Sequence, residues 1–189
     1  HKKSLVTGGN AYRAIVIPRC NYIPLETFSK ILDLAASGAI VIFQDQLPED
    51  VPGLHRLNER QAALKELKST LEFEPILDGL KQARTGKGMV YLGKDIHRML
   101  ALEGIHPEPM TAAGIKYLRR LDEHGSFYFL RNESGKTING WVPIQAEAKS
   151  FLYFDPMNGK IRSLASRKAN KTGSEVYMQL DPWETCIIK

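Results

Sequence analysis

Two hydrophobic rhythms divide the chain. In the first half, Tyr12-Arg13-Ala14-Ile15-Val16-Ile17-Pro18, Ala39-Ile40-Val41-Ile42-Phe43 and Gly88-Met89-Val90-Tyr91-Leu92 are near-continuous apolar runs. That pattern suits strands buried on both faces of a parallel sheet. Between the first two runs, Leu25, Phe28, Ile31, Leu32 and Ala35 fall at three- and four-residue steps, one apolar face of a helix. Pro24 fits its first turn and Gly38 its C-terminal cap, completing a βαβ unit. A charged helix is expected from about His55 to Phe73, with Leu57, Leu64, Leu67 and Leu71 inward. A shorter helix, capped by Asp95 and ended by Gly104, carries Ile96, Met99 and Leu100. Strands alternating with helices predict a small parallel sheet covered on both faces.

From Thr111 the rhythm shortens. Strands are expected over Gly114 to Leu121, Ser126 to Arg131, Asn139 to Ile144, Phe151 to Phe154, Glu175 to Leu180 and Thr185 to Ile188. Turns rich in Gly, Asp, Asn and Pro separate them, including Asp122-Glu123-His124-Gly125 and Asp155-Pro156-Met157-Asn158-Gly159. The expected fold is therefore an α/β domain over residues 1–111, followed by an antiparallel β-sandwich domain over 112–189. Phe127, Tyr128, Phe129, Trp141, Phe151, Tyr153 and Phe154 read as core and sheet-pairing residues more than as a sugar-stacking platform. Trp183, within the turn Asp181-Pro182-Trp183-Glu184, is the expected exposed exception.

Charge narrows the partners. The net charge is +5, with a surplus of one up to residue 111 and of four beyond it. The later cations, among them Arg119, Arg131, Lys149, Arg167, Lys168 and Lys171, are scattered over strands and turns. Nucleic-acid binders gather such residues on one face, so a solvated surface is expected and no nucleic-acid partner. No apolar run approaches the roughly 20 residues of a membrane helix, so no membrane partner is expected either. His1-Lys2-Lys3-Ser4 has no initiator Met and no signal core, and Cys186-Ile187-Ile188-Lys189 ends on a strand, which points to a piece of a longer chain.

Ligands of open α/β sheets bind at the carboxyl ends of the strands. Those ends carry Arg19-Cys20-Asn21-Tyr22, Gln44-Asp45-Gln46 and Gly93-Lys94-Asp95. A dinucleotide turn needs glycines between the first strand and its helix, and Pro18 to Pro24 has none. Gly86-Lys87-Gly88 precedes a strand instead of opening a helix, which excludes a phosphate loop. Cys20 lacks the glycine-flanked elbow and histidine partner of a nucleophile. It reads as a structural thiol, as does Cys186, and the two have no metal-ligand spacing. His55, His97 and His106 read as surface or capping residues. No catalytic or metal-ligating residue is assigned; Arg19, Asn21, Tyr22 and Trp183 are the candidate ligand or rim contacts.

Several segments, taken together and in order, resemble glycoside hydrolase family 106, the bacterial α-L-rhamnosidases and related enzymes. They are Tyr12 to Thr27, Ser37 to Phe43, Leu47-Pro48-Glu49-Asp50-Val51-Pro52-Gly53, Phe127 to Asn132, Gly140-Trp141-Val142-Pro143, Phe154-Asp155-Pro156-Met157 and Leu180 to Ile188. The resemblance implies a region that follows a catalytic barrel. The catalytic glutamates and associated calcium would lie upstream of His1, leaving no cofactor in this part. It further implies an amidotransferase-like (flavodoxin-like) α/β domain that has lost its nucleophile, with a periplasmic or extracellular parent. The expected function is an accessory scaffold partnered by the upstream barrel. A carbohydrate-binding module touching oligosaccharide through Trp183 or Tyr22 is the alternative. An independent enzyme using Cys20 is the remote one.

Overall fold

The structure is a computed structural model that describes residues 5–7, 10–123, 125–169 and 173–189. His1 to Ser4, His124 in its expected turn and the cation Lys171 lie outside the described residues. The chain divides into two units, His1–His106 and Pro107–Lys189. Residue 111, where the sequence placed the change, falls inside a 3-10 helix, Pro109–Ala113, of the second unit.

A short hairpin, β1 (Leu5–Thr7) with β2 (Asn10–Tyr12), opens the first unit. Then follow β3 (Ala14–Ile17), α1 (Leu25–Ser37), β4 (Ile40–Gln44), α2 (Leu57–Ser69), β5 (Glu74–Pro75), β6 (Lys81–Thr85), β7 (Gly88–Gly93) and α3 (Ile96–Leu102). The sheet order is β3-β4-β7-β6-β5. β3, β4 and β7 run parallel, with Val16 opposite Ile42 and Ile42 opposite Tyr91. β6 and β5 add antiparallel, so the all-parallel sheet expected from sequence is corrected to a mixed one. The cause is local: Gly86 and Lys87 alone join Thr85 to its partner Gly88, and so short a connection closes only an antiparallel pair.

The β-branched runs place alternate residues on the two faces. Val41, Phe43 and Val90 form one cluster with Phe28, Ile31, Leu32 and Ala35 of α1 and Leu64 of α2. Ile42 and Tyr91 form another with Met99 of α3 and Leu80. Helices thus cover both faces. Gly38 ends α1 at φ 118°, a left-handed cap, and the Asp95 carboxylate accepts the Arg98 N–H at 3.0 Å to start α3. A Cβ on Gly88 would stand 2.2 Å from the carbonyl oxygens of Ala35 and Ala39, so only glycine lets β7 begin against the end of α1.

The second unit is antiparallel: β8 (Ile115–Asp122), β9 (Gly125–Asn132), β10 (Ile138–Ile144), β11 (Phe151–Phe154), β12 (Ile161–Leu164), β13 (Ser166–Lys168), β14 (Ser174–Leu180) and β15 (Thr185–Ile188). Five strands order as β12-β11-β15-β9-β8 and three as β10-β14-β13. Tyr128, Leu130, Phe151, Tyr153, Cys186 and Ile188 of the larger sheet share one core with Val142, Ile144, Val176, Met178 and Leu180 of the smaller, a sandwich-like arrangement. Two buried polar residues lock it. Asn132 donates to the carbonyls of Lys136, Leu180 and Asp181, and its side-chain oxygen accepts from Ser134. Glu108 accepts from Arg119, Tyr128 and the Gln145 N–H.

The aromatics divide between inside and outside. Tyr128, Phe151 and Tyr153 are core, whereas Phe129 and Trp141 are 39% and 38% exposed. Trp141 is thus corrected from core to outer face: Val142 and Ile144 point inward, and the two-residue period turns their neighbour out.

Candidate functional site

The carboxyl ends of β3, β4 and β7 hold three of the four expected contacts. Arg19, just past β3, reaches Asp45, just past β4, with Nη1 at 3.1 Å from Oδ2. The Asp45 N–H donates to the Gly93 carbonyl at 2.7 Å and ties the end of β4 to the end of β7. This holds Asp45 at φ 69°, a left-handed conformation that costs a non-glycine residue. Asp45, Asp78, Lys94, Asp95 and Arg98 line a cavity of about 510 Å³.

Asn21 organises the neighbouring loop. Its carbonyl accepts from the N–H groups of Glu49 and Asp50 at 2.8 and 3.0 Å, and Ile23 N–H donates to the Asp50 carbonyl at 3.0 Å. The Gln46 amide donates to Asn21 Oδ1 at 3.2 Å and to Glu49 Oε1 at 3.3 Å. Tyr22, 62% exposed, borders a depression of about 440 Å³ with Glu49, Asp50, Gln61 and Lys65. The Asp50 carboxyl is held below its usual range, first by the Val51 N–H, then by the Gln61 amide, with the charge of Arg60 adding.

The loops gather carboxylates that are distant in sequence: Asp45, Asp78 and Asp95 share one cavity, Glu49 and Asp50 another. Each member of the first group already has a donor. Arg19 pairs with Asp45, Arg98 with Asp78, and the Arg98 N–H with Asp95. Among the described residues, no three His, Cys, Asp or Glu side chains converge as metal ligands would. Cys20 is half-buried on the same loop, and the described histidines His55, His97 and His106 are exposed.

Trp183 belongs to the second unit. It lies at φ 68°, donates its N–H to the Asn132 carbonyl at 2.9 Å and is 59% exposed, with the Arg131 guanidinium 5.3 Å from its ring. Sequence reasoning missed a further exposed group on β10, β13 and β14, built on Trp141, Tyr177 and Arg167. The inward pair Val142 and Ile144 is the signal that could have found it.

The profile of the alpha-L-rhamnosidase family, glycoside hydrolase family 106, matches residues 1–168. This chain belongs to that family. The family 106 chain superposes on the rhamnosidase from Novosphingobium sp. PP1Y with a TM-score of 0.76 at 21% identity, over 100% of its own length and 18% of that protein. It also superposes on a beta-galactosidase from Bacillus circulans sp. alkalophilus, with a TM-score of 0.56 at 12% identity, covering 94% of this chain and 33% of the other. A beta-galactosidase from Rahnella sp. R3 gives 0.55 at 13%, covering 94% and 32%. At these identities the likeness is one of fold. The family 106 chain spans less than a fifth of the rhamnosidase and about a third of each beta-galactosidase. Comparison with curated proteins gives no match.

Proposed function

We propose that this chain is a non-catalytic accessory region of a glycoside hydrolase of the α-L-rhamnosidase type, packed in a longer polypeptide against a catalytic barrel. One observation carries the reading. Leu118, Phe129, Ile187, Phe154 and Ile161 are successive cross-strand partners over β8, β9, β15, β11 and β12, so all five point to the same outer face. Leu118 is 73% exposed and Ile161 59%. A contiguous apolar row of this kind marks a surface that meets another protein body. The barrel is the proposed cover because the matched rhamnosidase is more than five times as long as the aligned chain.

The strand-end loops support the same reading. Their carboxylates are committed to Arg19, Arg98 and backbone N–H groups, which suits a scaffold or a rim that hydrogen-bonds sugar hydroxyls. We read the first unit as an amidotransferase-like domain without a nucleophile, and place any calcium in the catalytic part of the parent. Among the described residues no helix is long and apolar enough to cross a membrane; a periplasmic or extracellular parent is the reading the family favours. Incubation with an aryl α-L-rhamnoside tests the role: no release above blank is expected, and release abolished by Asp45→Asn would overturn it.

A further inference from the structure

The outer face of the five-stranded sheet carries charge in a pattern that its apolar row alone does not show. Side chains alternate between the two faces of a strand, so the cross-strand partners two residues to either side of that row point outward with it. On one side stand Lys116, Arg131 and Thr185, partners across β8, β9 and β15. On the other stand Arg120 and Phe127, partners across β8 and β9. Lys189, which exchanges backbone hydrogen bonds with Leu152, and Ser163 opposite Leu152 continue that side. Apolar side chains thus hold the centre and cations stand on both margins. No Asp or Glu occupies any position of the three rows.

Lys116 and Arg120 are both exposed, and no ion pair among the described residues engages either. Lys189 Nζ lies 4.7 Å from the Phe127 ring, and Arg131 faces Glu133 at 3.5 Å. Part of the basic surplus beyond residue 111 is therefore gathered on one face, where the sequence suggested scatter. This pattern selects among occupants. A two-fold contact between copies would set the patch against itself and bring cations against cations. Bases need rings to stack on, whereas Leu118, Ile187 and Ile161 of the middle row are aliphatic. Lipid surfaces take up amphipathic helices, whereas this row crosses the middle of a sheet. A protein surface of opposite charge remains.

We propose that this face docks onto an acid-rimmed apolar surface of the catalytic body in the parent polypeptide. Leu118 and Phe129 enter the apolar centre of the contact, and carboxylates of the catalytic body meet Lys116 and Arg120 at its margins. Specific protein interfaces have this anatomy, an apolar core within a polar rim, and opposite charges across the rim fix the orientation. The proposal rests on the accessory reading for the identity of the partner, since the matched rhamnosidase extends far beyond the aligned chain. The acidic rim rests on the charge of this face alone.

Hydroxyl-radical footprinting of the parent polypeptide and of the separate chain tests it, with Leu118, Phe129 and Ile161 as reporters. Several-fold slower oxidation of all three in the parent is expected, because docking removes their access to solvent. Lys116→Glu with Arg120→Glu returns the reporters in the parent toward the rate of the separate chain, since like charges then face each other. Lys116→Gln with Arg120→Gln does so less. Both variants of the separate chain unfold at the wild-type urea midpoint, so the footprint reads docking and not folding. Equal oxidation in parent and chain overturns the docking surface, and protection indifferent to charge reversal overturns the acidic rim. Protection of the separate chain that grows with its own concentration would assign the face to a second copy. Protection that appears on adding phosphatidylglycerol vesicles would assign it to a lipid surface, and either result overturns the proposal. Rhamnoside turnover by the chain would overturn the accessory reading and leave the footprint unchanged.

Discussion

Arg19 and Asp45 stand at the ends of adjacent parallel strands and close on each other at 3.1 Å, with Asp45 held in a left-handed conformation by its N–H bond to Gly93. A charged pair thus occupies the place where an open α/β sheet usually presents its ligand site.

Two substitutions separate the charge from the backbone. The Arg19 side chain is 62% exposed, so Arg19→Ala should cost no more than about 1 kcal/mol, the range of surface ion pairs. Asp45→Val places a β-branched side chain at positive φ and should cost more, about 1–2 kcal/mol beyond the lost pair. Urea unfolding of both variants checks the order; equal losses would mean that the conformation of Asp45 stores no strain.

Much of this region is legible in sequence because its signals are strong. β-branched runs gave β3, β4 and β7, and Gly38 and Asp95 cap as their residue types require. β6 escaped because only Ala83 of Lys81-Gln82-Ala83-Arg84-Thr85 is buried, so no apolar rhythm marks it. β12 and β13 escaped for the same reason, with Leu164 the one buried side chain across both. The candidate loop was legible as residue types, but the cavity grouping Asp45, Asp78 and Asp95 was not, since it joins three connections distant in sequence.

Glu108 should matter far more to stability than any exposed pair. It is 1% exposed and takes donors from Arg119, Tyr128 and the Gln145 N–H at 2.8, 3.2 and 2.9 Å. Glu108→Ala strands all three and should cost about 3–5 kcal/mol, as expected when one partner of a buried ionic network is removed. Chemical denaturation followed by far-ultraviolet circular dichroism reads the loss. A cost under about 1 kcal/mol would show that solvent replaces the carboxylate.

Alkaline pH should destabilise the fold through Cys186 and Tyr153. Burial pushes the Cys186 thiol from 9.0 up to about 12, the Glu184 carboxylate adding, and burial likewise pushes the Tyr153 hydroxyl from 10.0 up to about 12. The folded state therefore keeps protons that the unfolded chain releases. Stability is intact below about pH 9 and declines as pH rises toward 12. The urea midpoint measured across this window should fall, and fall less steeply in Cys186→Ala. Parallel slopes for the two proteins would remove Cys186 from the account.

The most direct test of the accessory role is proton NMR of the anomeric signals of a rhamnose-terminated oligosaccharide, incubated with the purified chain and calcium from acid to mildly alkaline pH. The account predicts that the spectrum stays unchanged, with no free rhamnose. Appearance of free rhamnose at a rate proportional to the concentration of the chain, and its loss in Asp45→Asn, would contradict it.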